Sequence, residues 1–338
     1  MPNPSPAGCG RTALSFGDPE AEFRAAGSGM AMADNSFSGR IEVTGDDRVD
    51  LLHRLSTNSL SGLPSGSVVS TLFVTDKGRV IDRVIVSFRE DSLLLITSAG
   101  TESLLTRWIE KYTITEDIRL KTITDETVMV SLIGSRVISM FSRMIDSPLD
   151  STSCVSLTHG GTDLLAVHIK DSRSDAAHLI ADNAGEPRLM EMLDSLPGAR
   201  WIGRAAYEGF RIASGIPALP GELNDAYNPF ECGLRDSISF TKGCYIGQEV
   251  IARLETYGKI RRHLVRVASR EAIPGPAPLP LLKKGLEAGM LTSMTEVSFG
   301  GEYLGLAILR NDIASPGDRL DAGETGVSVL VAGTGNGA

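Results

Sequence analysis

The sequence predicts an α+β protein built from antiparallel sheets and ending in a small antiparallel β-barrel. Three observations carry that expectation. After Gly39 the order of elements is strand, helix, hairpin, strand, helix, which implies antiparallel pairing. Within the strand-like runs apolar and polar residues alternate with a period of two. From about Lys259 onward, short strand-like runs are separated by Gly and Pro turns, the spacing of a small barrel. With 338 residues, 42% of them hydrophobic, the chain can bury a sizeable core, so global disorder is excluded.

Residues 1–36 read as a loosely ordered leader rich in Pro, Gly, Ser and Ala. Its Asp18, Glu20, Glu22 and Asp34 are too acidic for a transit peptide, and it lacks the apolar stretch of a secretory signal. Residues 40–44 predict a half-buried strand, and Asp46 an N-cap for a helix carrying Val49, Leu52 and Leu55 on one face. Residues 67–74 and 80–88 predict a hairpin, with Gly78 in its turn. A strand at 93–96 follows, then a helix at 101–111 turning Leu104, Leu105, Trp108 and Ile109 to the core. Residues 128–133 and 164–169 read as strands, and 175–181 and 188–196 as helices. After Pro197-Gly198, residues 201–212 read as one amphipathic helix. Residues 215–236 are irregular, and a stretch of that length inside a domain is usually functional. Runs at 264–267, 291–297, 303–309 and 327–331 supply barrel strands, and 333–338 a low-complexity tail. The expected division is the leader, a region at 37–257 of two interleaved α+β domains meeting somewhere within 125–200, and a barrel domain at 258–338.

A net charge of −9, from 33 basic and 42 acidic residues, excludes a sequence-independent nucleic-acid binder. An acidic total can still contain a local basic pocket. No window approaches the ~18 apolar residues of a membrane span. Cys9, Cys154, Cys232 and Cys244 form no CxxC and no paired Cys/His spacing, so neither a metal site nor a disulfide scaffold is expected. A reducing, cytoplasmic setting fits.

The segment 239–250 is the most informative. A cation, Lys242, is followed by Gly243, a thiol at Cys244, an aromatic at Tyr245, and Gly247 opening what reads as a helix. Two glycines four apart let a backbone approach a ligand closely. A cysteine beside a lysine and near a helix N-terminus has its thiolate favoured by charge and dipole, which suits redox sensing, nucleophilic attack or metal contact. The alternative is a buried cysteine acting as a small hydrophobe. No dinucleotide fingerprint, phosphate loop, HExxH or nucleophile elbow is present.

The octapeptide Lys242-Gly243-Cys244-Tyr245-Ile246-Gly247-Gln248-Glu249 resembles the signature of the YgfZ family, folate-binding proteins of iron–sulfur cluster assembly and repair. That family is in turn similar to the T-protein of the glycine cleavage system, the tetrahydrofolate-dependent aminomethyltransferase. Residues 39–45, 52–58, 210–217 and 228–231 fit the same resemblance. It implies three domains in a T-protein-like ring around a central folate channel, the third a β-barrel. It implies tetrahydrofolate as cofactor and iron–sulfur enzymes or assembly factors as partners. Cys244 would be the functional thiol, with Lys242, Gly243, Tyr245, Gly247, Gln248 and Glu249 around it. Asp82, Arg211, Glu222 and Glu231 would bind folate, Arg211 pairing with a carboxylate of the ligand's glutamate tail.

Two departures separate the relatives. Where this chain has Asp82-Arg83, the aminomethyltransferases carry two adjacent acids, because forming and breaking an N–C bond needs a proton acceptor and a partner for developing positive charge. They also carry a Tyr-Thr-Gly-Glu-type turn where this chain has His159-Gly160-Gly161-Thr162-Asp163. The resemblance therefore implies a non-catalytic or weakly catalytic folate-binding accessory factor. The alternative is a tetrahydrofolate-dependent aminomethyltransferase or related one-carbon transfer enzyme.

Overall fold

Three β-sheets organise the chain, and the expected α+β class with a closed C-terminal barrel is what the computed structural model shows. It describes residues 13–137, 142, 153–170, 173, 175–258 and 260–332.

A five-stranded antiparallel sheet holds β2 (Gly39–Thr44) between β5 (Leu93–Thr97) and β6 (Arg119–Thr122). On the far side of β5 lie β4 (Val80–Phe88) and then β3 (Val68–Val74). Helices α2 (Arg48–Leu55) and α3 (Glu102–Glu110) supply Leu51, Leu52, Leu55, Leu105 and Ile109 to its core, against Ile41, Val43, Val84 and Val86. The expected contribution of Leu104 fails: it is 48% exposed. Asp46 is not the cap either. Asp47 precedes the helix without capping it, and its carboxylate accepts the Asp117 N–H instead (2.7 Å).

The second sheet corrects the leader. Residues 13–36 are not loosely held: α1 (Pro19–Ser28) is N-capped by Asp18 and leads into β1 (Met30–Asp34). β1 lies inside a six-stranded sheet, antiparallel to β7 (Thr127–Ile133) and parallel to β11 (Ala199–Trp201). Next to β7 come β10 (Asp175–Asp182), β9 (Thr162–Lys170) and β8 (Cys154–His159). The expected helix at 175–181 is thus a strand. Its alanines favour a helix, but pairing on both edges by β7 and β9 overrides that weak preference. Helices α4 (Glu186–Asp194) and α5 (Arg204–Ala213) follow; Trp201 belongs to β11 rather than to α5. Residues 1–12, the 333–338 tail and Lys259 lie outside the described residues.

The barrel closes through six antiparallel strands: β12 (Arg262–Ser269), β13 (Leu279–Lys283), β14 (Leu286–Met294), β15 (Tyr303–Arg310), β16 (Arg319–Ala322) and β17 (Ser328–Val331). Closure pairs β12 with β17 and leaves no free edge. Val68, Leu94 and Ile96 of the five-stranded sheet pack on Met129, Val167 and Ile180 of the six-stranded one. A third cluster joins Leu72 and Val74 to Tyr227, Phe230 and Ile238 of the irregular stretch and to Ile308 of the barrel. Arg40, fully buried, ties β2 to the neighbouring turns by donating to the carbonyls of Ser36, Ser38, Thr124 and Thr127. No described helix is long and apolar enough to cross a membrane.

Candidate functional site

Where the two sheets, α5 and the irregular stretch meet, the packing leaves three adjacent lobes whose linings share residues. The first, about 740 Å³, is bordered by Asp34, Asn35, Phe37, Tyr207, Glu208 and Arg211 among others. Those residues, except Asp34, also line a second lobe of about 300 Å³, walled by Ile85, Ile96, Met129 and Ile133. Arg83 and Ile169 are shared between the second lobe and a third of about 320 Å³. Helix α5 delivers Tyr207, Glu208 and Arg211 together because neighbours four apart share a face. Apolar walls with a few convergent polar groups are the usual make-up of a small-molecule site.

The polar groups at the neck form a chain. Asn35 Nδ2 donates to Ser131 Oγ (2.6 Å) and to the Tyr207 hydroxyl oxygen (3.0 Å), and Ser131 Oγ lies 2.7 Å from His178 Nδ1. Asn35 Oδ1 is buried without a partner. A buried, unsatisfied carbonyl is costly, and at a cavity wall it marks a place for a ligand donor. Burial pushes His178 down to about 4, so its imidazole is neutral at pH 7. A consequence follows for stability. Between about pH 6.5 and 4 the unfolded chain's His178 binds a proton that the folded one refuses, so stability falls as pH falls through that window. Urea melts across it should show up to about 1.4 kcal/mol per pH unit from this group. His178→Gln should flatten that slope; an unchanged slope counts against a neutral buried His178.

No sequence signal drew Asn35, Ser131, His178, Tyr207 or Glu208 into the expected site. The four expected folate ligands divide differently. Asp82 has no exposed surface and turns away from the cavity. Its carboxylate accepts the Ser98 N–H (3.0 Å), the Ser98 hydroxyl (2.6 Å), the Thr101 hydroxyl (2.7 Å) and the Arg83 N–H (2.8 Å). Burial pushes this carboxyl up, and the donors pull it back. Its neighbour Arg83 faces the cavity, with Nε donating to Ser70 Oγ (3.0 Å). Arg211 does line the cavity, but its guanidinium also serves Glu208 (2.9 Å), the Ile216 carbonyl (2.7 Å), Ser293 Oγ (3.1 Å) and Glu222 (3.4 Å). Glu222 is buried, accepting from the Ala218 N–H and the Ser293 hydroxyl of β14. Glu231 is buried too and holds Arg262 at the start of β12 (2.8 Å). Glu222 and Glu231 therefore tie the irregular stretch to the barrel and line none of the three lobes.

The octapeptide is a loop leading into α6 (Gln248–Tyr257). Lys242 Nζ donates to the carbonyls of Ser56 (2.7 Å), Asn58 (2.9 Å) and His53 at the end of α2. Burial pushes its ammonium down to about 8. Tyr245 is buried among Leu72, Val74 and Val80. Gly247 has φ +78°, and a Cβ there would sit 2.5 Å from the Thr75 carbonyl, so this glycine lets the loop approach the β3–β4 turn rather than a ligand. A Cβ on Gly243 meets nothing, so no close approach requires a glycine there. Gln248 opens the helix, and Glu249 pairs with Arg253 on its exposed face.

Cys244 is exposed, whereas Cys154 and Cys232 are buried. Cys154 Sγ donates to the Phe88 carbonyl (3.2 Å), and burial raises its thiol pKa. Burial, then Glu222 and Glu231, raise that of Cys232. Cys244 should therefore alkylate well ahead of both at neutral pH, as read by mass-spectrometric rate mapping. Equal rates for all three thiols would contradict this arrangement. Among the described residues, no cluster of three or more His, Cys, Asp and Glu could hold a metal.

Comparison with known proteins places the geometry in context. The family described as GCVT N-terminal domain matches residues 11–242. The Arabidopsis thaliana protein named "Putative transferase At1g60990, chloroplastic" is 31% identical over 314 residues, covering 92% of this chain and 72% of its own. The aminomethyltransferase of Moorella thermoacetica is 26% identical over 298 residues (85% and 80%), and that of Thermotoga neapolitana 23% over 308 (89% and 84%). The crystal structure of the glycine cleavage system aminomethyltransferase T from Bartonella henselae superposes with a TM-score of 0.82. It covers 96% of this chain and 91% of its own at 16% identity, a likeness of fold.

Proposed function

The chain belongs to the GCVT N-terminal domain family, and on that premise we propose that it is a tetrahydrofolate-binding protein supporting assembly or repair of iron–sulfur clusters in client enzymes. The first two lobes, which share Asn35, Tyr207 and Arg211, are the folate site in this reading. The residues there suit a reduced pterin: Asn35 Oδ1 is an orphaned acceptor for a ring N–H, and Ile85, Ile96 and Met129 offer apolar walls. When bound, a reduced folate supplies one-carbon chemistry at its ring nitrogens; the chain's own residues bind and orient it.

The observation that carries the accessory role over a transferase is the direction of two side chains. Of the pair Asp82-Arg83, the retained acid is spent on Ser98 and Thr101, and the residue facing the cavity is a cation. Along β4 itself, the strand that carries the pair, no carboxylate faces the cavity to take a proton from a reacting amine. The His159–Asp163 turn, between β8 and β9, lines none of the three lobes. Cys244, exposed on the octapeptide loop, supports the iron–sulfur role as a reachable thiol, and three free cysteines among the described residues support a reducing compartment.

Tetrahydrofolate should give measurable heat in calorimetric titration and raise the melting temperature, by about 2.7 kcal/mol of added stability at a hundredfold excess over Kd. Neither heat nor a shift at millimolar ligand would overturn the folate reading. In the same preparation, aminomethyl transfer from a lipoyl carrier to tetrahydrofolate should be undetectable, and robust ammonia release would restore the transferase reading. Cys244→Ser should fold normally yet fail to rescue iron–sulfur enzyme activity in complementation.

A further inference from the structure

The first lobe lies between two parts of the fold. One wall comes from the end of β1 and from α5; the barrel supplies Met294, Thr295 and Glu296 to the other. An ion pair crosses between them. Arg204, the first residue of α5, holds the Glu296 carboxylate with both guanidinium Nη atoms, Nη1 to Oε1 at 2.7 Å and Nη2 to Oε2 at 3.1 Å. The two side chains are 52% and 56% exposed, yet both line the lobe, so the pair stands at its rim. Among the described residues, neither charged end has another hydrogen-bond partner.

The backbone beneath the pair is fixed. The Thr295 N–H donates to the Leu304 carbonyl (2.8 Å), and Thr295 Oγ1 accepts the Leu304 N–H (3.0 Å). Phe299 is buried and stacks on Phe23 of α1, with ring centres 4.4 Å apart. It also fills the space at Gly209 of α5, where a Cβ would stand 2.5 Å from its ring. The Gly300 N–H donates to Glu20 of α1 (2.9 Å). The loop from β14 to β15 is thereby pinned to α1 and α5. What can move at the rim is the pair of long side chains.

We propose that Arg204 and Glu296 form a side-chain clasp on the first lobe, closing this rim when paired and admitting small molecules when parted. The bidentate contact favours the closed arrangement and fixes its geometry. Half-exposed pairs are weak and screened by salt, so the clasp opens often and needs no movement of the barrel. A clasp of this kind governs the way in whatever the ligand, so its test is independent of the folate reading.

The test needs no ligand. In the full chain, Ala33→Cys places a reporter thiol on β1, at a buried position lining the first lobe. Ala205→Cys, buried on α5 and lining the same lobe, is a second reporter should the first not fold. Iodoacetamide, small and neutral, reads entry as an alkylation rate mapped by mass spectrometry. Arg204→Gln and Glu296→Gln should each speed alkylation of the reporter about two- to fivefold, the population ratio a pair of this exposure sustains. The two variants separate a clasp from a field effect. Losing the cation would raise the reporter's thiol pKa and losing the anion would lower it, so a field alone drives the two rates apart. Added salt should speed the parent reporter and leave both variants alone. Cys232, fully buried, reports on general unfolding. The clasp is overturned if both variants alkylate at the parent rate, if their rates move in opposite directions, or if Cys232 speeds up in step with the reporter.

Discussion

Asp82→Ala should destabilise the five-stranded sheet by about 3–5 kcal/mol, the range for removing one member of a buried charged network. The variant leaves the Ser98 N–H and hydroxyl and the Arg83 N–H without the acceptor that Asp82, which has no exposed surface, gives them; the Thr101 hydroxyl keeps the Ser98 carbonyl. Ser98 and Thr101 belong to the turn between β5 and α3, so the first turn of the helix loosens with them. Asp82→Asn keeps one acceptor oxygen and should lose only part of this. Arg83→Gln, on the cavity side of the same strand, should change stability far less. Denaturant melts of the three variants decide it. If Asp82→Ala melts like wild type and loses only ligand affinity, Asp82 is a ligand residue after all.

The same pair of residues shows what the sequence could and could not tell. Alternation along β4 puts Val80, Asp82, Val84 and Val86 on one face, and Ile81, Arg83 and Ile85 on the other. Both faces are apolar apart from one charge. A period of two therefore separates Asp82 from Arg83 but does not say which side carries the cavity. That is decided only when the six-stranded sheet packs on the Arg83 face. Glu222 and Glu231 were misplaced for a related reason. An irregular stretch rich in polar residues reads as a binding loop, while here its acids satisfy Arg211 and Arg262 across a domain junction.

Elements with strong local signals were legible: the β3–β4 hairpin with Gly78 at φ +65°, α3, and the barrel. Those whose state is imposed from outside were not. The run Met30–Asp34 is mostly Ala and Met, poor strand formers, and becomes a strand because β7 and β11 occupy both of its edges. His178 sits on a segment read as helical, so its approach to Ser131 and Asn35, 47 and 143 positions away in sequence, had no local trace. The octapeptide lies between these cases. Its helix start and its exposed thiol were legible, but the partners of its lysine were not.

Lys242→Met should cost about 2–4 kcal/mol and release the octapeptide loop. The wild-type ammonium fills the position where carbonyls at the end of α2 lack partners inside the helix, and a cation there also suits the negative end of the helix dipole. It satisfies His53, Ser56 and Asn58 at once, across more than 180 positions of sequence. Methionine matches the stem but strands three carbonyls; because the site is only half-buried, water recovers some of the loss. Lys242→Arg should not rescue it, since a planar fork cannot direct donors at three convergent acceptors. Released from α2, the loop should exchange its amide hydrogens faster, and Cys244 should alkylate at a different rate. Both are readable by mass spectrometry without any ligand. A charge committed to three carbonyls is a structural peg first and an influence on the thiol only second. If Lys242→Met keeps wild-type stability and exchange yet slows alkylation, that order is reversed, and the lysine acts chiefly by favouring the Cys244 thiolate.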